Sequence, residues 1–316
     1  MRKCLYCYQE LNEQEEANDY HAACAKAFFG TANAPMLPYK LSDMAKLAKE
    51  AAELSITVPG VQPKLSLGWL RTELVKGHTG RLTIMDAMDG NYILKPQNPL
   101  YANMPENEHL SMKLATLFKI DVVPCSLIRL ASGELCYITK RIDRKQDGSK
   151  IHMIDFLQIL EVEDKYRGTM EMLGKTIGEL SVNTLLDKLR FFELAVFNYV
   201  IGNNDMHQKN FSLWLTKQGW TLTPAYDLLN VKMILPKDKD DTALLLGGKK
   251  QNFNKSYFDQ FGVVLKLNEK QIRSIYTKFA KWLPNATQLI DESFLKQEDK
   301  SVYTKLIQQR TAIFIG

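Results

Sequence analysis

The sequence predicts an α+β fold of two lobes, a small one built on an antiparallel sheet and a larger, mainly helical one. Three observations carry this. Between Leu65 and Lys140, short β-rich stretches surround a single helix-patterned segment. After Arg144 the apolar residues take up helical spacing, most clearly from Leu185 to Val200. The length, 316 residues with 45% hydrophobic and 24% charged, supplies an ample core for one large domain or two lobes. The expected divisions are 1–30, a small cysteine- and histidine-bearing unit; 42–141, the sheet lobe; and 142–316, the helical lobe.

Residues 1–30 read as a compact unit of their own. Cys4-Leu-Tyr-Cys7 and His21-Ala-Ala-Cys24 supply two ligand pairs of the types that hold tetrahedral zinc. The competing reading is a small hairpin with partly buried thiols. Pro35 and Pro38 mark a linker. Ser42 then caps a helix through Met44, Leu47, Ala48 and Ala51 to Leu54. Pro59-Gly60 is a turn, since glycine tolerates the positive φ of a type II turn. Strands are expected at Leu65–Leu70, Leu82–Met85, Tyr92–Lys95, Val122–Leu130 and Leu135–Lys140. A helix opens at Pro105-Glu-Asn-Glu108 and runs through Leu110, Leu114 and Leu117. Asn183 is expected to cap a long helix with Leu185, Leu189, Phe192, Val196 and Val200 on one face. A hairpin of Phe211–Leu215 and Trp220–Thr223 follows, and helices dominate from Asn254 onward.

The chemistry concentrates where that long helix delivers the chain. Asp205-Met-His-Gln-Lys-Asn210, with Tyr226-Asp227 after the next strand pair, has the pattern of a phosphoryl-transfer loop. Such a site needs one carboxylate to orient the attacking hydroxyl, and oxygen ligands to hold magnesium on the triphosphate. The plain alternative is that Asp and Asn are turn formers. Lys95, at a strand end, can reach nucleotide phosphates if a carboxylate holds it; Glu108 is the candidate and Glu106 the alternative. Read alone, Lys95 would be a solvated strand-end lysine; Asp205, Asn210 and Asp227 reverse that. The segment Val58-Pro59-Gly60-Val61-Gln62-Pro-Lys64 could cradle phosphates through turn N–H groups, although Pro59 and Pro63 donate nothing. Within the loop, His207 could contact phosphate and Lys209 could offset developing charge.

A net charge of +5 suits ATP binding and is too small and dispersed to argue for direct nucleic-acid binding. No apolar run approaches membrane-spanning length, and a signal-peptide core is not seen. Five cysteines, an odd number, favour a reduced, cytoplasmic protein over a disulfide scaffold.

Taken in order, Pro59-Gly-Val-Gln-Pro-Lys64, Ile-Leu-Lys95-Pro, Glu-Asn-Glu108, Lys-Arg-Ile-Asp143-Arg, Asn-Asp205-Met-His-Gln-Lys-Asn210 and Pro-Ala-Tyr226-Asp227 resemble the HipA-like serine/threonine kinases, toxin kinases of bacterial toxin–antitoxin modules. The resemblance runs from about Ser42 to the C-terminus. It implies a bilobal protein-kinase-like fold, with ATP and magnesium as cofactors. It implies Asp205 as catalytic base, Asn210 and Asp227 as metal ligands and Lys95 as the phosphate-anchoring lysine. Pro59 to Lys64 would match the phosphate loop, Lys140, Arg141 and Ile142 the adenine-binding hinge, and His207, Gln208, Lys209 and Tyr226 would line the nucleotide site. Ser55 and Thr57 stand where the family is autophosphorylated; a phosphate there adds roughly −1.5 to −2 charge and is expected to eject the loop and hinder ATP binding.

The full-length family toxin carries an N-terminal subdomain not found ahead of Ser42. That is similar to the shorter HipT-type kinases, as is the Ser-Ile-Thr pattern. This implies two partners, a small HipS-like subdomain protein and a HipB-like DNA-binding antitoxin, and aminoacyl-tRNA synthetases as substrates. The competing functions are a small-molecule kinase, a catalytically silent ATP-binding scaffold in a repressor complex, and a zinc-dependent nucleic-acid module suggested by Cys4, Cys7, His21 and Cys24.

Overall fold

The computed structural model describes residues 2–44, 46–47, 64–69, 82–84, 90–145 and 148–315. Two compact units divide the chain. The first holds residues 1–109, 123–149 and 292–294, and the second residues 110–122, 150–291 and 295–316. Ser55, Thr57, Pro59, Gly60, Val61 and Gln62 lie outside the described residues, as does most of the helix expected after Ser42, of which residues 41–44 and 46–47 are helical.

The first unit is organised by an antiparallel sheet of five described strands, β1 (Leu65–Trp69), β2 (Leu82–Ile84), β3 (Tyr92–Lys95), β4 (Cys125–Arg129) and β5 (Leu135–Lys140), in the order β2-β1-β3-β5-β4. The expected strand at Val122–Leu130 is shorter at its start. Pro124 lacks a ladder N–H, and Val122 belongs to the second unit, where it makes an isolated bridge to Ala225. Register decides which side chains share a face. Tyr92 pairs with Lys140, Leu94 with Ile138, and Lys95 with Tyr137. Because strand side chains alternate, Tyr92, Leu94 and Ile138 share one face while Lys95 and Tyr137 occupy the other.

The first face is covered by the N-terminal residues. Leu5, Leu11, Tyr20, Phe28 and Phe29 share one core with Leu65, Leu82, Leu94 and Ile138. Polar ties accompany this packing. The Leu127 amide donates to the Leu5 carbonyl at 3.2 Å, the Tyr20 hydroxyl donates to the Leu127 carbonyl, and Arg129 Nε donates to Asp19 at 2.9 Å. Thirty residues bury too little apolar surface to fold alone, so these aromatics use the sheet as the other half of their core.

The second unit is mainly helical, with a three-stranded antiparallel sheet of β6 (Met153–Asp155), β7 (Ser212–Leu215) and β8 (Trp220–Leu222). The helices Met170–Leu180 and Thr184–Ile201 precede the catalytic-type loop, and Lys255–Val264, Glu269–Glu292 and Gln297–Ile315 close the fold. Its core is aromatic: Phe118 and Phe279 have centroids 4.2 Å apart, and Phe191, Phe192, Phe197, Phe258 and Phe261 are fully buried. β6 and the helix Met170–Leu180 are additions to the sequence expectation. The helix had a readable signal, since Met170, Leu173 and Ile177 are buried at helical spacing behind the N-cap Thr169. The three-residue β6 had none, being too short to display alternation.

At the start of Thr184–Ile201 the expectation is corrected twice. Asn183 occupies the N-cap position, but its side chain makes no capping bond. Leu185 and Leu186 are exposed, whereas Asp187 is fully buried. Asp187 accepts from the Ser181 hydroxyl at 2.6 Å and from the Leu222 amide at 2.8 Å, with Arg190 Nη1 at 3.3 Å. A β8 amide thus claims the side of the helix turn that periodicity assigned to solvent. Asp187→Ala strands a buried amide and hydroxyl. It is expected to lower the unfolding free energy by on the order of 3 kcal/mol; a denaturation shift below about 1 kcal/mol would show that this anchor is dispensable.

Candidate functional site

The candidate loop begins with a helix end. Gly202 has φ +79°, a left-handed conformation, and a Cβ there would lie 2.5 Å from Leu306 and 2.9 Å from Asn230 Oδ1. Glycine alone allows this turn without strain. The Asn203 amide donates back to the Asn198 carbonyl at 2.9 Å, and the Gly202 carbonyl accepts from the amides of Val231 and Lys232 at 3.0 and 3.1 Å. The helix end is thereby sealed against the segment after Asp227.

Asn203 joins the two acidic segments. Its Nδ2 donates to Asn198 Oδ1 at 2.8 Å and to the Asp227 carbonyl at 3.4 Å. Its Oδ1 accepts from the Asp205 amide at 3.4 Å. Asn210 turns its Nδ2 to the Asp205 carbonyl at 3.1 Å, which leaves its Oδ1 as the atom offered outward. Asp227 has φ +61°, a strained conformation of the kind that collects at functional sites. An amide oxygen and a carboxylate are hard donors and fit magnesium.

From Ile201 to Asn210, Asp205 and Lys209 are the two residues not fully buried. Tyr166 donates its hydroxyl to Asp205 Oδ1 at 2.7 Å, leaving Oδ2 for another donor. Burial and that carboxylate keep the Tyr166 phenol above its ordinary pKa. The Lys165 ammonium donates to His207 Nε2 at 2.8 Å. Gln208 donates to the Arg167 carbonyl. Tyr226 is held between Lys209 and Ser212, at 3.0 Å from the Lys209 carbonyl and 2.6 Å from Ser212 Oγ. Its one proton goes to the carbonyl, so the Ser212 hydroxyl donates to Tyr226. His207, Gln208 and Tyr226 therefore brace the loop through protein contacts. Tyr166, Lys165, Asn203 and Ser212 escaped the sequence reading; for Tyr166 and Lys165 the partners lie 39 and 42 residues away and leave no spacing signal.

The first unit holds the other candidates. Lys95 Nζ lies 2.6 Å from Glu108 Oε1, both nearly inaccessible, and 5.4 Å from the Tyr137 ring centroid. Glu106 is instead engaged by Gln97 Nε2 at 2.9 Å. In the expected hinge, the Lys140 amide donates to the Pro124 carbonyl at 2.9 Å and the Arg141 amide to Asn91 at 2.8 Å, so neither is available to adenine while these bonds stand. Arg141 also clamps Asp143 with two bonds, at 3.0 and 2.7 Å. Burial pushes the Asp143 carboxyl up, but Arg141 and Arg144 outweigh it and hold it low. Lys64 is exposed. The ligand atoms of Cys4, Cys7, His21 and Cys24 all lie within 4.8 Å of one another.

Comparison with known proteins places this arrangement. A family profile described as "HipA-like C-terminal domain" matches residues 56–287. A proposed kinase of Haemophilus influenzae is 26% identical over 88% of this chain and 87% of its own length. The proposed kinase Y4mE of Sinorhizobium fredii is 33% identical over 56% of this chain, and the match spans 43% of that protein's length. The serine/threonine-protein kinase toxin HipA of Shewanella oneidensis is 28% identical over 56% of this chain and 44% of that protein. Among solved structures, the Shewanella oneidensis HipA–HipB–operator DNA complex aligns with TM-score 0.67 at 19% identity, over 88% of this chain and 71% of that one. The Helicobacter pylori proinflammatory kinase CtkA aligns with TM-score 0.53 at 15% identity, over 70% and 86%. These structures share the α+β fold, with small antiparallel sheets and a mostly helical C-terminal part.

Burial, and the Lys165 charge, hold the His207 pKa below its ordinary 6.5, outweighing Asp205 and Asp227. The unfolded imidazole therefore binds a proton more readily than the folded one. The stability this represents is complete above pH 6.5 and is lost as pH falls toward the folded pKa. His207→Gln, which keeps an acceptor for Lys165, is expected to flatten the fall in unfolding midpoint just below pH 6.5. Parallel curves for the two proteins would exclude this role.

Proposed function

Because this chain belongs to the HipA-like C-terminal domain family, we propose that it is an ATP-dependent serine/threonine protein kinase acting as the toxin of a toxin–antitoxin module. The observation that carries this reading is Asn203, whose one side chain bonds both the Asp205 and the Asp227 segments. Residues 42–141 would be the small kinase lobe and 142–316 the large one.

ATP would supply the γ-phosphoryl group, and bound magnesium would supply positive charge to offset that of the phosphates. Asp205 Oδ2 orients the substrate hydroxyl and accepts its proton as the oxygen bonds to phosphorus and ADP departs. Tyr166 positions Asp205 through Oδ1. Asn210 and Asp227 would hold the metal. Lys95, fixed by Glu108, binds α- and β-phosphate oxygens, and Lys209 offsets charge developing on the transferred group. The phosphate loop would be Pro59 to Lys64, with Ser55 and Thr57 as autophosphorylation sites. The Ser-Ile-Thr pattern supports the HipT-type branch. The proposed substrate is an aminoacyl-tRNA synthetase, whose phosphorylation would stop translation in the cytoplasm. The proposed partners are a HipS-like protein and a HipB-like antitoxin. No described helix is long and apolar enough to cross a membrane.

Incubating the protein with labelled ATP and cell lysate is expected to label one protein band, with intact mass showing phosphoryl groups on Ser55 or Thr57. Label confined to metabolites would favour a small-molecule kinase. Asp205→Asn is expected to cut turnover by about 10²–10⁴-fold; unchanged turnover would leave only a silent scaffold. Tyr166→Phe is expected to lower kcat by about tenfold with the KM for ATP unchanged, since a positioning bond and not a binding contact is removed.

A further inference from the structure

We propose that Cys4, Cys7, His21 and Cys24 form a structural Zn²⁺ site that cross-links the N-terminal segment packed on the first unit's sheet, independently of the kinase reading. The ligand atoms are already gathered. All four lie within 4.8 Å of one another, with Cys7 Sγ at 3.4 Å and Cys24 Sγ at 3.8 Å from His21 Nδ1. A zinc tetrahedron with Zn–S about 2.3 Å and Zn–N about 2.0 Å has edges of about 3.5–3.8 Å.

Two backbone devices present the ligands. Cys4 and Cys7 flank a tight turn, closed by the Cys4 amide on the Gln9 carbonyl at 2.8 Å and the Tyr8 amide on the Cys4 carbonyl at 3.0 Å. Tyr8 accepts φ +73° to make it. His21 is the N-cap of the helix Ala22–Phe29, and Cys24 lies in its first turn. The helix N-terminus favours thiolate there.

The histidine tautomer is set as a metal ligand requires. His21 Nε2 is 3.0 Å from the Glu10 carbonyl, which can only accept. Nε2 therefore carries the proton, and the Nδ1 lone pair faces the sulfurs. Three sulfurs and a nitrogen select a soft, tetrahedral ion such as zinc over magnesium, and four protein ligands close the site to chemistry. None of the five cysteines is in a disulfide. The first pair and the second are separated by residues 8–20, so one ion ties together both ends of a segment whose Leu5, Phe28 and Phe29 enter the sheet core.

The full chain, purified without chelator or polyhistidine tag, is expected to contain one zinc per molecule by elemental mass spectrometry. Cobalt replacement should give the visible absorption of a tetrahedral thiolate site. Chelation should lower the unfolding midpoint by on the order of 10 °C, restored by zinc and not by magnesium. Cys24→Ala should lose the zinc, Cys24→His should keep it, and Cys125→Ala should keep it as a buried cysteine outside the cluster. If Cys24→Ala does not fold, Cys24→His and the chelation series still decide. Wild-type protein without zinc that gives no thiolate–cobalt band, or equal zinc in wild type and Cys24→Ala, would overturn the proposal.

Discussion

The way the helix Thr184–Ile201 ends controls everything in the candidate catalytic segment. A helix must surrender its last carbonyls to something. Here the left-handed Gly202 lets the Asn203 amide return to Asn198, and the chain leaves at an angle that puts Asn203 between Asp205 and Asp227. A side chain at 202 would meet Leu306 and Asn230 at once. The functional geometry is therefore a consequence of helix termination, reinforced by buried amides that have no freedom to choose other partners.

Elsewhere, buried charges are held by close partners, as at Lys95 and Asp187. Lys95 and Glu108 are nearly inaccessible and 2.6 Å apart. Such a pair adds little net stability, but losing either member leaves an uncompensated buried charge at a cost of about 3–5 kcal/mol. The pair therefore fixes the position of one lysine on a particular sheet face. Asp187 works similarly in the second unit, where it joins β8 to a helix start. In both cases the stabilisation is modest and the positional specificity is high.

The covering of the sheet shows how local and long-range forces divide the work. Alternation sends Tyr92, Leu94 and Ile138 to one face and Lys95 and Tyr137 to the other. The apolar face is completed by Leu5, Phe28 and Phe29, which a thirty-residue segment could not have buried by itself. The cysteine–histidine cluster lies within the same segment and brings Cys4 and Cys7 together with the start of the helix Ala22–Phe29.

The sequence by itself determined the strands Tyr92–Lys95 and Leu135–Lys140 and the C-terminal helices, because each is written as periodicity. Only the tertiary structure decided that Glu108 and not Glu106 holds Lys95, since both are separated from it by similar lengths of chain and the choice depends on helix phase. The same holds for the exposure of Leu185, the burial of Asp187, and the bracing of Asp205 by Tyr166, 39 residues away. Local propensity reaches a few residues along the chain. Hydrogen bonds formed across it depend on which elements pack together, and one sequence window cannot contain that information.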